Sequence, residues 1–265
     1  MAGRLENKRC LIVGGTSGIG FAAAKRFLAE GARLLVAGLA MDEHDAELLT
    51  ENGLIAWLAC DARQAAEVDK LFAETSDRLG GLDVLYHAAG SSGRHAGDGP
   101  LHECTEEGWQ ATIDANLKST FLTNRAAVRS FLKQGQPGAL LNMASVLAIA
   151  PSPRYFDTFA YTASKGGIIA MSRQAAARYA GARIRVNVIA PGLIDTPMAS
   201  RAVQDASIRE FLCSKQPLTN GAGQPDDCSE AAVFLCSDTA HFITGVVLPV
   251  DGGWCVSEGQ YSLPK

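Results

Sequence analysis

Short apolar runs alternate with longer amphipathic segments along nearly the whole chain. The short runs are apolar on both faces, which is typical of strands buried on both sides, and the longer segments have the length of helices. The strand candidates are residues 10–13, 34–37, 54–58, 84–87, 139–143, 186–189 and 246–248. The helix candidates are approximately residues 18–30, 65–79, 105–131, 161–180 and 226–236.

This alternation predicts a parallel sheet that is covered by helices on both faces. No linker, internal repeat or low-complexity tract divides the 265 residues. We therefore expect one doubly wound α/β domain over residues 1–265, with a mainly parallel seven-stranded sheet.

The composition argues against several classes of protein. A net charge of −4 without a basic block does not suit a nucleic-acid surface. The first ten residues carry charges where a signal peptide needs an apolar run, and the longest uncharged run, 134–153, is interrupted by Asn142 and Ser145, so we expect no membrane span. The seven cysteines form no CxxC pair, and the spacing of His102 and Cys104 does not suit a metal. Reduced thiols, a cytoplasmic location and no metal site are expected.

A glycine-rich turn, GGTSGIG, follows the first strand candidate and precedes a helix candidate. Glycines at such a junction let the backbone approach a pyrophosphate, which the N-terminus of the helix attracts. The spacing is G-x-x-x-G-x-G rather than G-x-G-x-x-G, and a glycine cluster alone can be a plain turn. Its place between strand and helix favours nucleotide binding. The residues concerned are Gly14, Thr16, Ser17, Gly18, Ile19 and Gly20.

Asp61 and Ala62 end the third strand candidate, at the edge of the sheet that faces the ligand crevice in doubly wound folds. The Asp61 carboxylate could accept a hydrogen bond from an adenine amino group there. It could equally cap the helix that follows, so both interpretations stay open.

Tyr161 and Lys165, in the stretch YTASK, lie four residues apart on a predicted helix and share one of its faces. An ammonium beside a phenol favours the phenolate and lowers the pKa of the tyrosine toward the range where acid–base catalysis is effective. Ser145 ends the fifth strand at the same edge of the sheet, where its hydroxyl can bind a substrate oxygen. Taken singly, each of these residues also has an ordinary explanation as a helix face or a loop residue.

In order along the chain stand GGTSGIG, CDA, DVLYHAAG, DANLKSTF, NMASV, YTASK, NVIAPG with DT, and ITGVV with DGG. With these stretches the sequence resembles the short-chain dehydrogenase/reductase family over essentially its whole length. The resemblance implies a Rossmann-type fold, an NAD or NADP cofactor, and hydride transfer between a secondary alcohol and a ketone. It also implies a homo-oligomer, a dimer or a tetramer, since in the family the helix bearing YTASK packs against its mate. The small residues Ala163, Ser164, Gly166 and Gly167 fit such packing.

The resemblance assigns four catalytic roles. Tyr161 is the acid/base, and Lys165, together with the positive charge of the nicotinamide, lowers its pKa and anchors the ribose. Ser145 binds the substrate oxygen, and Asn116 supports a water that relays protons to the lysine. Further cofactor contacts are implied for Ala89, Gly90, Pro191, Gly192, Ile194 and Thr196. A helical lid over the substrate is expected around residues 198–216.

Two stretches depart from the family pattern. His87 and Ala88 stand where the family has two asparagines: the imidazole could contact the ribose region or pack in the interior, and Ala88 predicts a slightly weakened sheet edge. Gly38 and Leu39 stand where NAD-preferring members have an acidic residue and NADP-preferring members an arginine. Because no Arg or Lys lies in the glycine turn either, we expect NAD to be favoured, with NADP possible. Asp42 has the register of a helix N-cap.

The sequence does not name the substrate. Arg154, Tyr155 and Phe156 could border it or could be exposed loop residues. Two alternatives to the dehydrogenase remain open: a non-catalytic NAD(P)-binding regulatory protein, and a lyase or epimerase that uses bound NAD.

Overall fold

Seven strands form one sheet in the computed structural model, which describes residues 3–258. The strands are β1 (Arg9–Val13), β2 (Arg33–Gly38), β3 (Ala56–Ala59), β4 (Val84–His87), β5 (Gly138–Met143), β6 (Ile184–Pro191) and β7 (Val247–Val250). They lie in the order β3-β2-β1-β4-β5-β6-β7, and every neighbouring pair is parallel. Strands β2 and β3 are added on one side of β1, and strands β4 to β7 on the other. Doubly wound folds bind their ligands where the strand order changes side in this way, here between β1 and β4.

Ten α-helices connect and cover these strands within residues 3–258. They are α1 (Gly18–Ala29), α2 (Glu43–Glu51), α3 (Ala65–Leu79), α4 (Glu106–Ile113), α5 (Ser119–Gln134), α6 (Pro153–Phe156), α7 (Phe159–Tyr179), α8 (Ser200–Gln204), α9 (Ala206–Lys215) and α10 (Pro225–Cys236). The sequence-based prediction of the strands and of five helical segments agrees with these bounds within a few residues. The predicted doubly wound α/β fold is confirmed.

The core is divided between the two faces of the sheet because side chains alternate along each strand. On one face Ile12 and Val36 pack with Phe27 of α1 and Val233 of α10. On the other face the alternate residues of the strands pack against α3, α5 and α7. Both faces are buried, which is why the strands are apolar almost throughout.

Two helical features differ from the sequence-based prediction. The helix expected over 105–131 is α4 and α5 joined by a π-helical turn, Asp114–Lys118, whose wider winding places Asn116 in the interior. Helix α2 was not predicted, because it buries only Leu49 and its apolar pattern is weak. It begins after Asp42, whose carboxylate accepts a hydrogen bond from the His44 N–H at 2.9 Å, so Asp42 is a helix cap as expected.

All seven cysteines are free thiols, and most of them are buried. Within residues 3–258 no helix has both the length and the apolarity needed to cross a bilayer.

Candidate active site

The glycine turn lies between the end of β1 and the start of α1, as predicted. Gly14 has φ +83°, and a Cβ placed on it would lie 2.4 Å from the backbone nitrogen of Ala89, so the turn and the segment after β4 are in close contact. A Cβ on Gly20 would lie 2.0 Å from the Gly14 carbonyl oxygen. Glycine is therefore required at both positions by close backbone approach.

The start of α1 has the features of a phosphate-binding cradle. Ser17 occupies the N-cap position, but its side chain makes no capping hydrogen bond, and the first turn of the helix holds no acidic residue. The first N–H groups of a helix lack intrahelical partners and attract anions. The fit of this turn to a dinucleotide pyrophosphate thus rests on an uncapped helix end together with a glycine backbone.

The loop after β6 reaches the same turn. A Cβ on Gly18 would lie 3.4 Å from the Thr196 side chain, so Thr196 stands against the glycine turn. Pro191 and Ile194 are buried beneath this loop, and Ile194 bridges to Gly223. The glycine turn and the loop expected to contact the nicotinamide are therefore brought together at one crevice, while Ala88, Ala89 and Gly90 form its floor at the end of β4.

At the other end of the crevice, Asp61 forms an ion pair that the sequence reasoning did not anticipate. The guanidinium of Arg63 donates to both carboxylate oxygens, from Nε at 2.8 Å and from Nη2 at 2.8 Å, and the hydrogen bonds from Arg63 hold the pKa of Asp61 below its usual range. Asp61 does not cap α3, whose N-cap is Gln64. The capping alternative for Asp61 is therefore wrong, the adenine contact stays a prediction, and Arg63 is an additional residue here, next to the buried Ala62.

Gly38, at the end of β2, packs so closely against the glycine turn that a larger residue does not fit there. A Cβ on Gly38 would lie 2.5 Å from the Thr16 hydroxyl oxygen, so any side chain there would have to displace Thr16. Leu39 follows with 70 % of its surface exposed. The end of β2 therefore presents backbone and an apolar side chain to the crevice, and no charged group at these two positions.

Tyr161 and Lys165 occupy the first half of α7, one turn apart, as the spacing predicted. The Lys165 Nζ lies 5.4 Å from the centroid of the Tyr161 ring and donates a hydrogen bond of 3.0 Å to the carbonyl of Met143, at the end of β5. Two residues farther along, Ser145 is buried beside the phenol, and its hydroxyl also accepts a bond from the Leu147 N–H at 3.2 Å. The structure thus brings Tyr161, Lys165 and Ser145 together at the carboxyl edge of β5.

The pKa values of this group differ from the sequence-based expectation. Burial raises the pKa of Tyr161, and the nearby Ser145 hydroxyl lowers it in part, so the protein groups alone do not produce the lowered value that the Tyr161–Lys165 spacing suggested. Burial also lowers the pKa of Lys165 to about 8, because an ammonium is costly to desolvate. Lys165 is still mainly protonated at neutral pH, which is the state that favours a phenolate beside it.

Asn116 is fully buried in the π-helical turn, close to Lys165 across Gly90. A Cβ on Gly90 would lie 2.5 Å from the Asn116 Oδ1 and 3.3 Å from the Lys165 Nζ. The Asn116 amide accepts a bond from the Ser91 N–H at 3.2 Å and donates to the carbonyls of Ser91 and Thr112, each at 2.9 Å. Its side chain therefore holds the chain after β4 in place, and its role in a proton relay stays a prediction.

His87 does not contact the crevice through its imidazole. The ring is 1 % exposed, with Nδ1 2.9 Å from the Thr123 hydroxyl and Nε2 3.3 Å from the Ser119 hydroxyl, both on α5. Burial lowers its pKa to about 3, so the ring is neutral at physiological pH. Of the two alternatives for this ring, the structure therefore supports the packed imidazole, which ties β4 to α5, and not the ribose contact. The Ala88 N–H donates to the Val13 carbonyl at 2.8 Å. The slightly weakened sheet edge expected from its missing side-chain amide stays a prediction.

Residues 198–216 are mainly helical, as predicted, and pack over the loop that follows Ser145. Tyr155 contacts Phe211 of α9 with ring centroids 5.1 Å apart, and both Phe156 and Phe211 pack edge-on against the buried Trp254. Arg154 is exposed, with its guanidinium 5.0 Å from the Tyr155 ring centroid. Tyr155 and Phe156 are thus half-buried residues of α6 rather than exposed loop residues: Tyr155 contacts α9 directly, and Phe156 contacts Trp254.

Two buried polar residues hold the site in place and were missed by the sequence reasoning. Asp98 bonds the backbone of α7 through its carboxylate. Gln216, 1 % exposed, bonds the Leu193 N–H at 2.6 Å and donates to the carbonyls of Leu193 and Gly221. Neither stands in a local motif, and apart from Gly221 their partners lie more than twenty residues away, so a local pattern could not have identified them.

The chain is similar to known proteins over nearly its whole length. A family described as enoyl-(acyl carrier protein) reductase matches residues 13–255. The chain is 34% identical over 251 residues to a 2,5-dichloro-2,5-cyclohexadiene-1,4-diol dehydrogenase of Sphingobium indicum, covering 94% of this chain and 98% of the relative. It is 35% identical over 260 residues to 3beta-hydroxysteroid dehydrogenase 1 of Eggerthella lenta, covering 96% of each.

The fold is also that of solved members of this group. A short-chain type dehydrogenase/reductase from Mycobacterium ulcerans superposes with a TM-score of 0.88 at 28% identity, covering 96% of this chain and 92% of that one. The motifs, the crevice and these relatives lead to one conclusion: the chain belongs to the short-chain dehydrogenase/reductase family of oxidoreductases.

Proposed function

We propose that the protein interconverts a secondary alcohol and a ketone by hydride transfer, with a nicotinamide dinucleotide bound along the carboxyl edge of the sheet. The observation that carries this proposal is the convergence of Tyr161, Lys165 and Ser145 at the carboxyl edge of β5. The named dehydrogenases among the relatives act on hydroxyl groups of small molecules, which supports the same class of reaction.

The glycine turn and the loop bearing Thr196 would hold the dinucleotide, and its nicotinamide would supply the hydride acceptor for an alcohol or the hydride donor for a ketone. The residues of this chain handle the proton. In the oxidative direction the Tyr161 phenolate accepts the hydroxyl proton as the C–H bond breaks; in the reductive direction the Tyr161 phenol donates that proton to the substrate oxygen. Ser145 holds this oxygen, and the Lys165 ammonium stabilises the phenolate against the cost of its burial.

Tyr161→Phe tests this assignment. The substitution removes one hydroxyl and keeps the ring that packs beneath Lys165, so we expect turnover to fall by about 10²-fold or more while cofactor binding persists. The measurement is the change in nicotinamide absorbance across a panel of secondary alcohols and ketones. Near-normal activity in the variant would contradict the mechanism. Turnover without net absorbance change would favour the lyase or epimerase, and saturable cofactor binding without turnover would favour the regulatory protein.

We further propose NAD as the preferred cofactor. Gly38 and Leu39 offer no cation to a 2′-phosphate, and the guanidinium of Arg63 at this end of the crevice is already paired in bidentate fashion with Asp61. A buried phosphate without a compensating charge is costly. Separate titrations should therefore give tighter binding of NAD than of NADP, and the reverse order would overturn this preference.

We infer that the chain forms a homo-oligomer in the cytoplasm. Apolar side chains are exposed on neighbouring helices, namely Trp109 of α4, Phe121 of α5 and Phe159 of α7. A Cβ on Gly166 would meet open space, whereas one on Gly167 would lie 2.8 Å from Leu117 of the same chain. Of the two glycines, Gly166 is therefore the one free to face a second copy. The seven free thiols suit a reducing compartment.

A further inference from the structure

Asp98 is a buried carboxylate in the segment that connects β4 to α4. Its side chain is only 5 % exposed, although an isolated charge is costly to bury. Oδ1 accepts a hydrogen bond from the Ala160 N–H and Oδ2 accepts one from the Tyr161 N–H, each at 2.9 Å. One of the two donors is thus the backbone of the residue proposed as the acid/base.

These two donors are the second and third N–H groups of α7, which begins at Phe159. The first N–H groups of a helix have no partner within it, and a Ser, Thr, Asp or Asn at the N-cap usually binds them. Here the N-cap residue, Thr158, makes no such bond. Asp98 supplies the cap from a position 62 and 63 residues away in the sequence.

A distant cap has a consequence that a local one lacks. A side chain at the N-cap stabilises the helix but moves with it. Asp98 instead fixes the start of α7 relative to the segment after β4, and its negative charge is favourable at a helix N-terminus. The same two stretches of chain are joined by a bond from the Phe159 N–H to the Gly99 carbonyl at 3.2 Å and by one from the Arg94 guanidinium to the Tyr155 carbonyl, also at 3.2 Å.

The other end of this segment is held by a second residue of the site. Asn116 binds both the N–H and the carbonyl of Ser91. The stretch from Ser91 to Asp98 is therefore fastened to Asn116 at one end and to Tyr161 at the other. This stretch therefore connects Asn116 with the start of the helix that bears Tyr161.

From this geometry we propose that Asp98 is a positioning residue for Tyr161. Asp98 fixes the position of the first turn of α7, and this position determines how far the Tyr161 phenol lies from Ser145. Without it, the first turn of α7 loses both acceptors and its anchor, while the glycine turn and Gly38 remain as they are. Lys165, the expected ribose anchor, lies one turn farther along α7 and keeps its bond to the Met143 carbonyl. The effect therefore falls on turnover more than on cofactor affinity, since a misplacement of about 1 Å can reduce a rate by about 10²-fold.

The test compares Asp98→Ala and Asp98→Asn with Asp83→Asn. Asp83 is a matched control at the opposite edge of the sheet, where its half-buried carboxylate accepts three bonds from the Arg9 backbone and guanidinium. Hydrogen–deuterium exchange of peptides covering Ala160 and Tyr161 measures the cap without any substrate. Steady-state kinetics and NAD titration measure its consequence, and this kinetic arm rests on the proposed function.

We expect exchange at Ala160 and Tyr161 to accelerate by about tenfold or more in Asp98→Ala and to stay at the wild-type rate in Asp83→Asn. We expect kcat to fall about 10- to 100-fold in Asp98→Ala with NAD affinity within about threefold of wild type. Asp98→Asn keeps one acceptor oxygen, so its kcat should lie between those of wild type and Asp98→Ala, and it serves if the alanine variant does not fold.

If exchange at Ala160 and Tyr161 is unchanged in the Asp98 variants, Asp98 does not cap α7 and the proposal is overturned. If Asp83→Asn loses as much kcat as Asp98→Ala at the same loss of melting temperature, the fall in kcat reflects general stability, and the proposal is likewise overturned. Accelerated exchange in a protein whose wild type turns over no alcohol or ketone would uphold the cap and contradict the proposed function instead.

Discussion

At the scale of single residues, His87 shows how a departure from a motif is absorbed by the fold. The imidazole takes over the link between β4 and α5 through the Ser119 and Thr123 hydroxyls, in an environment with little room for a charge. Burial there disfavours the charged imidazolium, which is why the pKa of His87 is lowered to about 3.

This residue makes the stability of the protein depend on pH in a defined direction. The folded-state pKa of His87 is lowered to about 3, whereas an unperturbed histidine titrates near 6.5. As the pH falls below about 6.5 the unfolded chain takes up a proton that the folded chain does not, so stability is lost at a rate approaching about 1.4 kcal/mol per pH unit.

His87→Asn should remove this component. We expect the wild type to lose more unfolding free energy than the variant as the pH falls from 7 to 4.5. Chemical denaturation at a series of pH values measures this difference. His44→Asn, at an exposed position, is the control and should follow the wild-type curve. Parallel curves for wild type and His87→Asn would contradict this account.

At the scale of elements, the site depends on contacts between turns. The glycine turn after β1 touches the backbone after β4, and the loop after β6 touches the glycine turn. A Cβ on Gly14 would overlap the Ala89 backbone, whereas one on Gly18 would only reach van der Waals contact with Thr196. Two predictions follow from these contacts.

Gly14→Ala should disrupt the cofactor crevice. Its Cβ would lie 2.4 Å from the Ala89 nitrogen, in addition to the strain of φ +83°. Gly53→Ala is a matched control, because Gly53 has φ +93° but no atom within 4 Å of its Cβ. Both variants should lose about 1–2 kcal/mol from backbone strain. NAD titration should show weaker binding in Gly14→Ala only; equal affinity in the two variants would show that the close approach is not needed.

Gln216→Met should loosen the end of α9 from the loop after β6. The substitution keeps the length of the side chain but leaves the Leu193 N–H without its acceptor. The carbonyls of Leu193 and Gly221 lose one donor each and keep their bonds from the Gly223 N–H and the Thr219 hydroxyl. Since a buried unpaired group costs about 1–3 kcal/mol, we expect a loss of about 1–3 kcal/mol by chemical denaturation. Gln110→Met, which removes an exposed contact with Asp114, should change stability by less than about 0.5 kcal/mol.

At the scale of the whole molecule, the exposed apolar side chains on α4, α5 and α7 predict self-association. Light scattering should give a mass of at least twice 27.9 kDa. Phe121→Glu should shift the mass toward the monomer because it places a charge in the apolar face. Leu218→Glu, at a position 83 % exposed outside these helices, should not. A monomeric wild type would refute the prediction.

The fold could be predicted from the sequence because its signals are local. Strands buried on both faces are apolar runs, and the helices between them have amphipathic patterns, so the alternation alone indicated a doubly wound sheet. The exceptions have physical reasons. α2 buries a single leucine, and the π-helical turn around Asn116 keeps the apolar periodicity that a continuous helix would also show.

The sequence by itself determined the order of the elements, the glycine turn and the spacing of Tyr161 and Lys165, all of which depend on neighbours within a few residues. Only the tertiary structure decided that the His87 ring faces α5, that the Asp61 carboxylate pairs with the Arg63 guanidinium, and that Asp98 caps the helix bearing Tyr161. Such partnerships between buried polar groups form wherever packing brings a donor to an acceptor. Apart from Asp61 and Arg63, the groups joined lie tens of residues apart, and a local pattern cannot encode the choice.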